Sequence, residues 1–381
     1  MLKKCKILIF IDWYKPGFKA GGPIRSISNL VDYLSDNLDI YLITKNTDYL
    51  ESIPYTNIKS DKWIRIDNIT ISYLSEKKTN YKTIKRLIKE INPDIIYCNS
   101  LYSLYFSLIP LYIAKGLNIK SILAVRGMLS KGSLGVKSTK KKIFLTLSKM
   151  VGLFNKCTFH ATNSSEQKDI KTTFGQNATS IIAQNLPEKK QLTFQPKQKE
   201  TNSLKLFFIG RIAPEKNTLY AIEALKNVTQ KIIFDIYGPI YSDEYWNKCK
   251  AAINQLPSNI VVNYKGVLEH LKIDETLKNY HALFLPSTGE NFGHIIIEAM
   301  INSCIPIISD RTPWISLEKI NVGFDIPLED KKYFAKTIDK LALMDNQELN
   351  IITKNAHQYA STIINDKKLI EDYYKLFQLN N

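Results

Sequence analysis

The chain has 381 residues, a formal net charge of +16, 44% hydrophobic residues and 23% charged residues. This length accommodates two domains with separate cores, and the composition excludes a disordered chain. No apolar run approaches the roughly 20 residues of a membrane-spanning helix, and the apolar start ends at Asp12 without a cleavage site for a secretory signal.

The distribution of charge and cysteine narrows the class of protein further. The positive excess is almost all lysine spread along the chain, whereas a duplex-binding protein concentrates arginine at its contacts. The arginines are only six, namely Arg25, Arg65, Arg86, Arg126, Arg211 and Arg311. The five cysteines form no CxxC pair, which argues against zinc and against a disulfide framework. We therefore expect a cytoplasmic protein with reduced thiols that binds no nucleic acid.

Short apolar, β-branched runs alternate with segments of helical period along the chain. The predicted strands are 6–12, 40–44, 94–99, 120–125, 204–210, 231–238, 259–266, 281–287 and 305–310. The predicted helices are 24–36, 80–91, 102–115, 216–228, 243–255, 271–279 and 293–302. Strands that are buried on both faces and joined by helices form a parallel, doubly wound α/β sheet. Because the pattern occurs twice, we predict two Rossmann-like domains that face a cleft.

The polar, lysine-rich segment 187–203 lacks periodicity and is predicted to be a linker. The domains are therefore expected over 1–190 and 200–360, followed by a helical tail over 361–381. Ligands of such sheets bind beyond the carboxyl ends of the strands, so the residues that follow each strand are the candidates for a site.

In the first half, a glycine pair follows the first strand. Gly21 and Gly22 precede Pro23, a favoured first residue of a helix, and glycines let a backbone approach a ligand closely. Arg25 lies in the first turn of that helix. Gly21, Gly22 and Arg25 are therefore candidates for contact with a ligand, with an ordinary loop-to-helix turn as the alternative. Neither GxGxxG nor GxxxxGK[ST] is present, so a nicotinamide site and a P-loop are not supported.

Two further candidates in the first half follow or lie on strands. Arg126 follows the strand 120–125, and His160 precedes Asn163, one of two candidate caps of the next helix. His160 either reaches the cleft or is a hydrogen-bonded core residue. The basic, apolar segment 138–156 either lies on an anionic membrane surface or forms a buried helix with a lysine end.

In the second half, Gly210 ends a strand, and Arg211 and Lys216 follow before the next helix. A helix N-terminus with these two cations suits a diphosphate. The alternative is that Arg211 pairs locally and Lys216 is solvated. Gly238 lies in the turn 236–239, where a nucleobase could pack against the backbone.

The stretch 287–300 carries Glu290 in a loop and Glu298 on an apolar helix. Asn291, Phe292 and Gly293 lead into that helix, and amides there suit sugar hydroxyls. A carboxylate at the position of Glu298 needs hydrogen-bond donors, which vicinal ribose hydroxyls provide. The alternative is a local pair or cap.

These residues carry a resemblance to a known family. The segments 207–225 and 284–310 resemble the two signature segments of the retaining GT-B glycosyltransferases of family GT4, and Glu290 and Glu298 match its EX7E motif. The first half resembles the family only through the glycine loop and 159–166.

The resemblance implies a role for each motif residue. Glu298 would bind the ribose of a nucleotide sugar, and Glu290 with the amides of 291–293 would bind the donor sugar. Arg211 and Lys216 would neutralise the diphosphate, so that no metal or other cofactor is required. The first domain would bind the acceptor, at Gly21 and Arg25, and its Gly22 would reach the donor. The second domain would bind the donor, and the tail would cross back to the first domain.

The implied reaction is metal-independent transfer of a hexosyl group with retention, from a UDP- or GDP-sugar to a saccharide, lipid-linked by analogy with the family. Bacterial capsule, O-antigen of lipopolysaccharide, or exopolysaccharide synthesis is the expected setting, in the cytoplasm or peripherally on the inner face of its membrane. Many members carry a histidine near the position of Arg126, so Gly22, Arg126 and His160 all remain candidates for contact with the donor sugar.

Two alternatives remain. A nucleotide-sugar epimerase on the same fold would need acid/base pairs in the cleft, and only His160 is a candidate. A basic protein that binds nucleic acid or a membrane surface would show strongly salt-dependent binding without any need for a nucleotide sugar.

Overall fold

The computed structural model describes residues 4–130, 144–146, 148–149, 151–190 and 193–379. The chain divides into two compact units. Unit 1 comprises Met1–Lys189 and Asp366–Asn381, and unit 2 comprises Lys190–Asn365.

Unit 1 contains an eight-stranded sheet with the order β3-β4-β2-β1-β5-β6-β7-β8. Its strands are β1 Cys5–Phe10, β2 Leu38–Lys45, β3 Trp63–Ile66, β4 Ile69–Leu74, β5 Ile95–Asn99, β6 Lys120–Ala124, β7 Cys157–Ala161 and β8 Ser180–Ile182. All neighbours pair in parallel except β3 and β4. The central strands are buried along almost their whole length, as expected for a sheet covered by helices on both faces.

Five helices of unit 1 have both of their ends within the described residues. They are α1 Gly22–Leu34, α2 Tyr81–Ile91, α3 Ile109–Leu117, α4 Ser164–Phe174 and, at the end of the chain, α11 Lys367–Phe377. A π-helical turn, Leu104–Leu108, runs directly into α3. Asn163 accepts a hydrogen bond from the Glu166 amide, which confirms Asn163 as the cap of α4.

Unit 2 contains a six-stranded, wholly parallel sheet with the order β11-β10-β9-β12-β13-β14. Its strands are β9 Ser203–Ile209, β10 Lys231–Tyr237, β11 Ile260–Tyr264, β12 Ala282–Leu285, β13 Ile305–Ser309 and β14 Phe324–Ile326. Its helices are α5 Thr218–Ala224, α6 Asp243–Ile253, α7 Ile273–Leu277, α8 His294–Ile301, α9 Lys331–Leu343 and α10 Asn346–Ile364.

The predicted fold of two parallel, helix-covered sheets is confirmed, and every predicted strand and helix is present with shifted ends. Two boundaries need correction. The segment 187–203 is no loose linker where it is described, because the Lys197 ammonium is buried and donates to the carbonyl of Leu277 at 2.9 Å, at the end of α7. The tail is broken at Asn365, where α10 ends, and Asp366 caps α11.

Candidate active site

The loops that follow β9 and β12 bring together two residues that lie 74 positions apart. The Lys216 ammonium contacts both carboxylate oxygens of Glu290, at 2.6 Å and 2.7 Å. The Glu290 side chain is 8% exposed and that of Lys216 22%. A pair shielded to this degree holds a fixed geometry at the carboxyl edge of the sheet, where ligands of doubly wound sheets bind.

Backbone contacts between the loops explain this closeness. The Thr288 amide donates to the Glu215 carbonyl at 3.0 Å, and the Asn217 side-chain amide donates to the Pro286 carbonyl at 3.0 Å. Asn217 has a φ of 61°, a left-handed conformation that asparagine tolerates better than most residues. These contacts fix the loop after β12 against the loop after β9, so Glu290 meets Lys216.

The loop after β13 supports the other side of the glutamate loop. The Ser309 hydroxyl donates to the Ser287 carbonyl at 2.6 Å, and the Trp314 indole donates to the Phe292 carbonyl at 2.5 Å. The Glu290 amide itself donates to the Arg311 carbonyl at 3.3 Å. Phe292, predicted to line the donor site, is 2% exposed and packs on Trp314 at 5.4 Å between ring centroids. Its side chain therefore serves as an anchor, and only its backbone is available to a sugar.

Gly238 and Gly210 form the tightest backbone contact near the site. Gly238 has a φ of 140°, and a Cβ built on it would lie 1.8 Å from the Gly210 carbonyl oxygen. The segments that follow β9 and β10 stay side by side beyond the strands, because Ile212 and Ile240 form a parallel β-bridge. Gly238 is therefore required by the approach of the two post-strand turns to one another, whether or not a base packs there. A Cβ on Gly210 would meet only ordinary contacts, 3.5 Å or more from Phe208 and Lys216.

Glu298 lies on α8, which begins at His294 after Gly293, a residue with a φ of 77°. The Glu298 side chain is 7% exposed and is flanked by the buried Ile297 and Ala299. A carboxylate in such a place carries a high desolvation cost unless donors surround it. Asn291 lies in the loop just before Gly293, as predicted.

Arg211 differs in part from its predicted role. Its guanidinium pairs with Glu215 at 3.0 Å, with the two side chains 37% and 47% exposed. This is the local pair that the sequence left open as the alternative. Because an exposed pair of this kind contributes little stability, Arg211 can exchange Glu215 for an incoming anion at small cost.

Arg126 and His160 belong to one hydrogen-bond network in unit 1. The Arg126 guanidinium donates to the Asn99 side chain at 2.7 Å, to the Tyr97 hydroxyl at 2.9 Å and to the Asn185 side chain. The Tyr97 hydroxyl in turn contacts His160 Nδ1 at 2.8 Å. Arg126 is thus committed to neighbouring side chains of its own unit.

Both ring nitrogens of His160 are occupied. Nε2 lies 2.7 Å from the Ala183 carbonyl, which can only accept, so Nε2 carries the proton and Nδ1 accepts from Tyr97. Burial, together with a smaller contribution from the Arg126 charge, lowers the pKa of His160 to about 3. The side chain has no exposed surface. This arrangement favours the core role for His160 over the predicted catalytic one.

The glycine pair at the start of α1 lies in open surroundings. A Cβ built on Gly21 or Gly22 would meet no atom within 4 Å, and Gly21 has a φ of 68°. Arg25 is half-buried, and burial lowers the pKa of its guanidinium to about 10 while Glu188 opposes that shift. The structure therefore leaves room for a ligand at Gly21 and Gly22, and it places Arg25 beside a carboxylate.

Sequence reasoning missed the residues that position the glutamate loop: Asn217, Thr288, Ser309 and Trp314. Most of their contacts join loops that are distant in sequence, so no local sequence pattern predicts them. One signal was available, because asparagine tolerates the left-handed conformation that often ends a helical turn, here the turn Pro214–Lys216.

Two family profiles and one curated relative match parts of the chain. The sequence profile of the family described as "Glycosyl transferases group 1" matches residues 189–359, and that of "Glycosyl transferase 4-like" matches residues 26–127. A curated relative, the GtfA subunit of the UDP-N-acetylglucosamine–peptide N-acetylglucosaminyltransferase of Streptococcus agalactiae, is 28% identical over 187 residues, which are 46% of this chain. The match spans only 35% of that relative's length.

Solved structures resemble the whole chain. HepE from Anabaena, solved with UDP and glucose, has a TM-score of 0.73 at 14% identity and covers 98% of both chains. Sucrose-phosphate synthase from Thermosynechococcus elongatus has a TM-score of 0.72 at 13% identity and covers 99% of this chain and 98% of its own. These likenesses show the fold, and they confirm the predicted GT-B architecture.

Proposed function

We propose that this chain, which belongs to the group 1 glycosyltransferases of family GT4, transfers a hexosyl group from a nucleoside-diphosphate sugar to a saccharide acceptor with retention at the anomeric carbon. The donor would be a UDP- or GDP-sugar. HepE was solved with UDP and glucose, and the curated relative is named for UDP-N-acetylglucosamine, so a UDP-sugar is the first choice.

The contact between Lys216 and Glu290 carries this proposal. An ammonium has three N–H donors, and the two contacts with Glu290 use two of them. The third is available to a phosphate oxygen. Glu290 holds Lys216 in place, and Lys216 in turn orients the Glu290 carboxylate toward the hydroxyls of the donor sugar.

The remaining roles follow from position. Arg211 exchanges Glu215 for the diphosphate, and the amides of 291–293 bind the sugar. Glu298 accepts hydrogen bonds from the ribose hydroxyls. The diphosphate leaves as the glycosidic bond forms on the same face, and it takes the proton of the acceptor hydroxyl. Cations that meet the developing negative charge lower the barrier, so this mechanism uses no metal and no resident cofactor.

The acceptor is proposed to be a lipid-linked saccharide bound by unit 1 near Gly21 and Gly22, in the assembly of a bacterial surface polysaccharide. The protein would then work in the cytoplasm, in peripheral contact with an anionic membrane. An epimerase is disfavoured, because His160, its only candidate acid or base, is buried with both nitrogens occupied.

Thermal shifts with UDP, GDP, ADP and CMP, each with magnesium and with EDTA, test this function. A ligand that binds the native state raises its stability. We expect one nucleotide to raise the Tm equally in magnesium and in EDTA, and the shift to disappear in Glu298→Gln. Glu275→Gln, on the exposed side of α7, is the control that should keep the shift. No shift with any nucleotide would overturn the proposed donor site.

A further inference from the structure

Within a lysine excess that is spread along the whole chain, one stretch of unit 1 carries no acidic residue. Residues 95–165 contain ten lysines and arginines and no aspartate or glutamate. This stretch of 71 residues therefore supplies +10 of the formal net charge of +16. Acidic and basic residues elsewhere nearly balance, so a specific partner of opposite charge is indicated here.

The same stretch exposes large apolar side chains on two consecutive helical elements. Leu104 and Tyr105 in the π-helical turn are 52% and 36% exposed, and Tyr112 in α3 is 61% exposed. The π-helical turn that carries Tyr105 runs directly into α3, which carries Tyr112. Tyr81 at the start of α2 is 39% exposed, and its ring lies 6.5 Å from that of Tyr112. We call these four residues the tyrosine face.

The core does not account for the tyrosine face. The opposite side of the same helical segment already packs in the core of unit 1 through Phe106, Leu111 and Ala114. A helix that is apolar on both sides needs a second apolar or interfacial environment.

Lysines surround the tyrosine face. On α2, Lys85 Nζ lies 5.6 Å from the centre of the Tyr81 ring, and Lys82 is exposed beside it. At the end of α3, Lys115 Nζ donates to the Val151 carbonyl at 3.1 Å, and Val151 is itself 66% exposed. The acidic residue of this part of α2, Glu90, is paired with Arg86 at 3.0 Å.

We propose that the tyrosine face, with Lys82, Lys85 and Lys115 at its rim, docks this protein onto the surface of an anionic lipid bilayer. Tyrosine favours the boundary between hydrocarbon and water, and lysines at that depth are attracted to acidic headgroups. The scarcity of arginine disfavours a nucleic acid as the partner. This inference assigns a surface to the membrane contact proposed above and in that sense rests on the proposed function.

The surface differs from the segment 138–156 that the sequence suggested for this role. Residues 138–143, 147 and 150 lie outside the described residues. Of those that are described, Leu145 and Phe154 are buried in the core of unit 1. Within the described part of 95–165, the exposed large apolar side chains are Leu104, Tyr105, Tyr112 and Leu117 on the helical segment 104–117, and Val151.

Vesicle sedimentation tests the proposal directly. The full chain is mixed with vesicles of phosphatidylglycerol and phosphatidylcholine in equal parts, or of phosphatidylcholine alone. We expect binding to the anionic vesicles only, weakened by salt. The variant Leu104→Ser/Tyr105→Ser/Tyr112→Ser should lower the partition coefficient about tenfold or more. The variant Lys82→Gln/Lys85→Gln/Lys115→Gln should lower both the affinity and its salt dependence.

A matched control replaces exposed apolar residues of unit 2: Val267→Ser/Leu271→Ser/Ile351→Ser, at sites that are 40%, 93% and 57% exposed. This control should bind vesicles like the unaltered chain. Melting curves of all variants check that the fold is kept.

Three results would overturn the proposal: no binding to anionic vesicles, equal binding by the tyrosine-face variant, or a vesicle-free dimer that this variant abolishes. The last result would assign the face to a second copy of the chain. The test requires no sugar transfer. Vesicle binding without any nucleotide-induced shift in Tm would therefore refute the donor site and leave this inference standing. A nucleotide-induced shift without vesicle binding would support the donor site and refute this inference.

Discussion

At the scale of single residues, the pair of Lys216 and Glu290 combines a structural and a chemical task. Each side chain is shielded from water, so each depends on the other for its charge balance. Only Lys216 can also meet a diphosphate. The two tasks can therefore be separated by substitution.

For this pair we predict opposite responses of stability and activity. Lys216→Met leaves a buried carboxylate unpaired and should lower the free energy of unfolding by about 3 kcal/mol. Adding Glu290→Gln should restore much of that stability. Transfer should fall by about 100-fold or more in the single variant and stay low in the double variant, because the cation is still absent. Recovery of activity in the double variant would show that Lys216 acts only as the structural partner of Glu290.

A second residue-scale prediction concerns acid stability. His281 Nδ1 accepts from the Lys205 amide at 2.9 Å, and Nε2 lies 3.0 Å from the Gln198 carbonyl, so the neutral ring fits the site. Burial lowers the pKa of His281 to about 4. Between pH 6.5 and about 4, His281 binds a proton in the unfolded chain but stays neutral in the folded chain. The stability of the fold therefore falls as the pH falls through this window.

The full effect for His281 is up to about 3 kcal/mol, and above about pH 6.5 it is absent. Urea unfolding at a series of pH values measures it. The difference in stability between the unaltered chain and His281→Gln should shrink as the pH is lowered from 6.5 to 4.5. Parallel profiles of stability against pH for the two proteins would contradict this explanation. His160 is present in both proteins, so its titration does not affect the difference between them.

At the scale of elements, the turns after β9 and β10 meet where only glycine fits. Gly238→Ala would place its Cβ 1.8 Å from the Gly210 carbonyl oxygen in a conformation that alanine rarely adopts. The two turns must separate, so we expect a loss of several kcal/mol in stability and at least a tenfold weaker nucleotide affinity.

Gly116→Ala is the matched control for this substitution. Gly116 lies in α3, and a Cβ there meets no atom within 4 Å. Alanine should stabilise the helix by roughly 0.5–1 kcal/mol and leave nucleotide affinity unchanged. Urea unfolding and nucleotide titration measure both variants. Equal effects of the two substitutions would contradict the close approach at Gly238.

Local patterns were sufficient for the buried strands and the helices between them, and insufficient at the edges of the sheets. The hairpin of β3 and β4 was missed although Asp67 and Asn68 form a two-residue turn with a positive φ at Asp67, a recognisable hairpin signal. The predicted helix 102–115 is a π-helical turn followed by α3, because Pro110 lacks the amide that a continuous α-helix needs.

The candidate site was predictable to a similar extent. Motif spacing located Lys216, Glu290 and Glu298, because each follows a strand closely or lies on the helix after it. It could not show that Arg211 pairs with Glu215 or that His160 is enclosed, since both depend on tertiary packing. The pairing of Lys216 with Glu290 across 74 residues likewise appears only in three dimensions.

At the scale of the whole molecule, the last helix belongs to unit 1, although the chain reaches it from unit 2. Tyr373 is buried and its ring lies 5.5 Å from that of His160, while Phe377 packs on Tyr97 at 5.7 Å. The helix α11 therefore covers the network that holds Arg126.

In the described part of the chain, no helix combines the length and hydropathy needed to cross a bilayer.

Removal of one of these contacts should weaken unit 1. Tyr373→Ala deletes a fully buried aromatic side chain and should cost about 3–5 kcal/mol. The half-buried Tyr374 of the same helix, changed to alanine, should cost clearly less, about 1 kcal/mol. Calorimetric unfolding of both variants checks this, and similar melting of the two would contradict the docking of α11.

The release of nucleoside diphosphate from nucleotide sugars, followed in EDTA, tests the central claim most directly. UDP-glucose, UDP-N-acetylglucosamine and GDP-mannose are suitable donors, with membrane lipid extract as a source of acceptor. The account predicts release from one donor that persists in EDTA and is lost in both Lys216→Met and Glu298→Gln. Release that is equal in these variants, or that is absent with every donor, would contradict it.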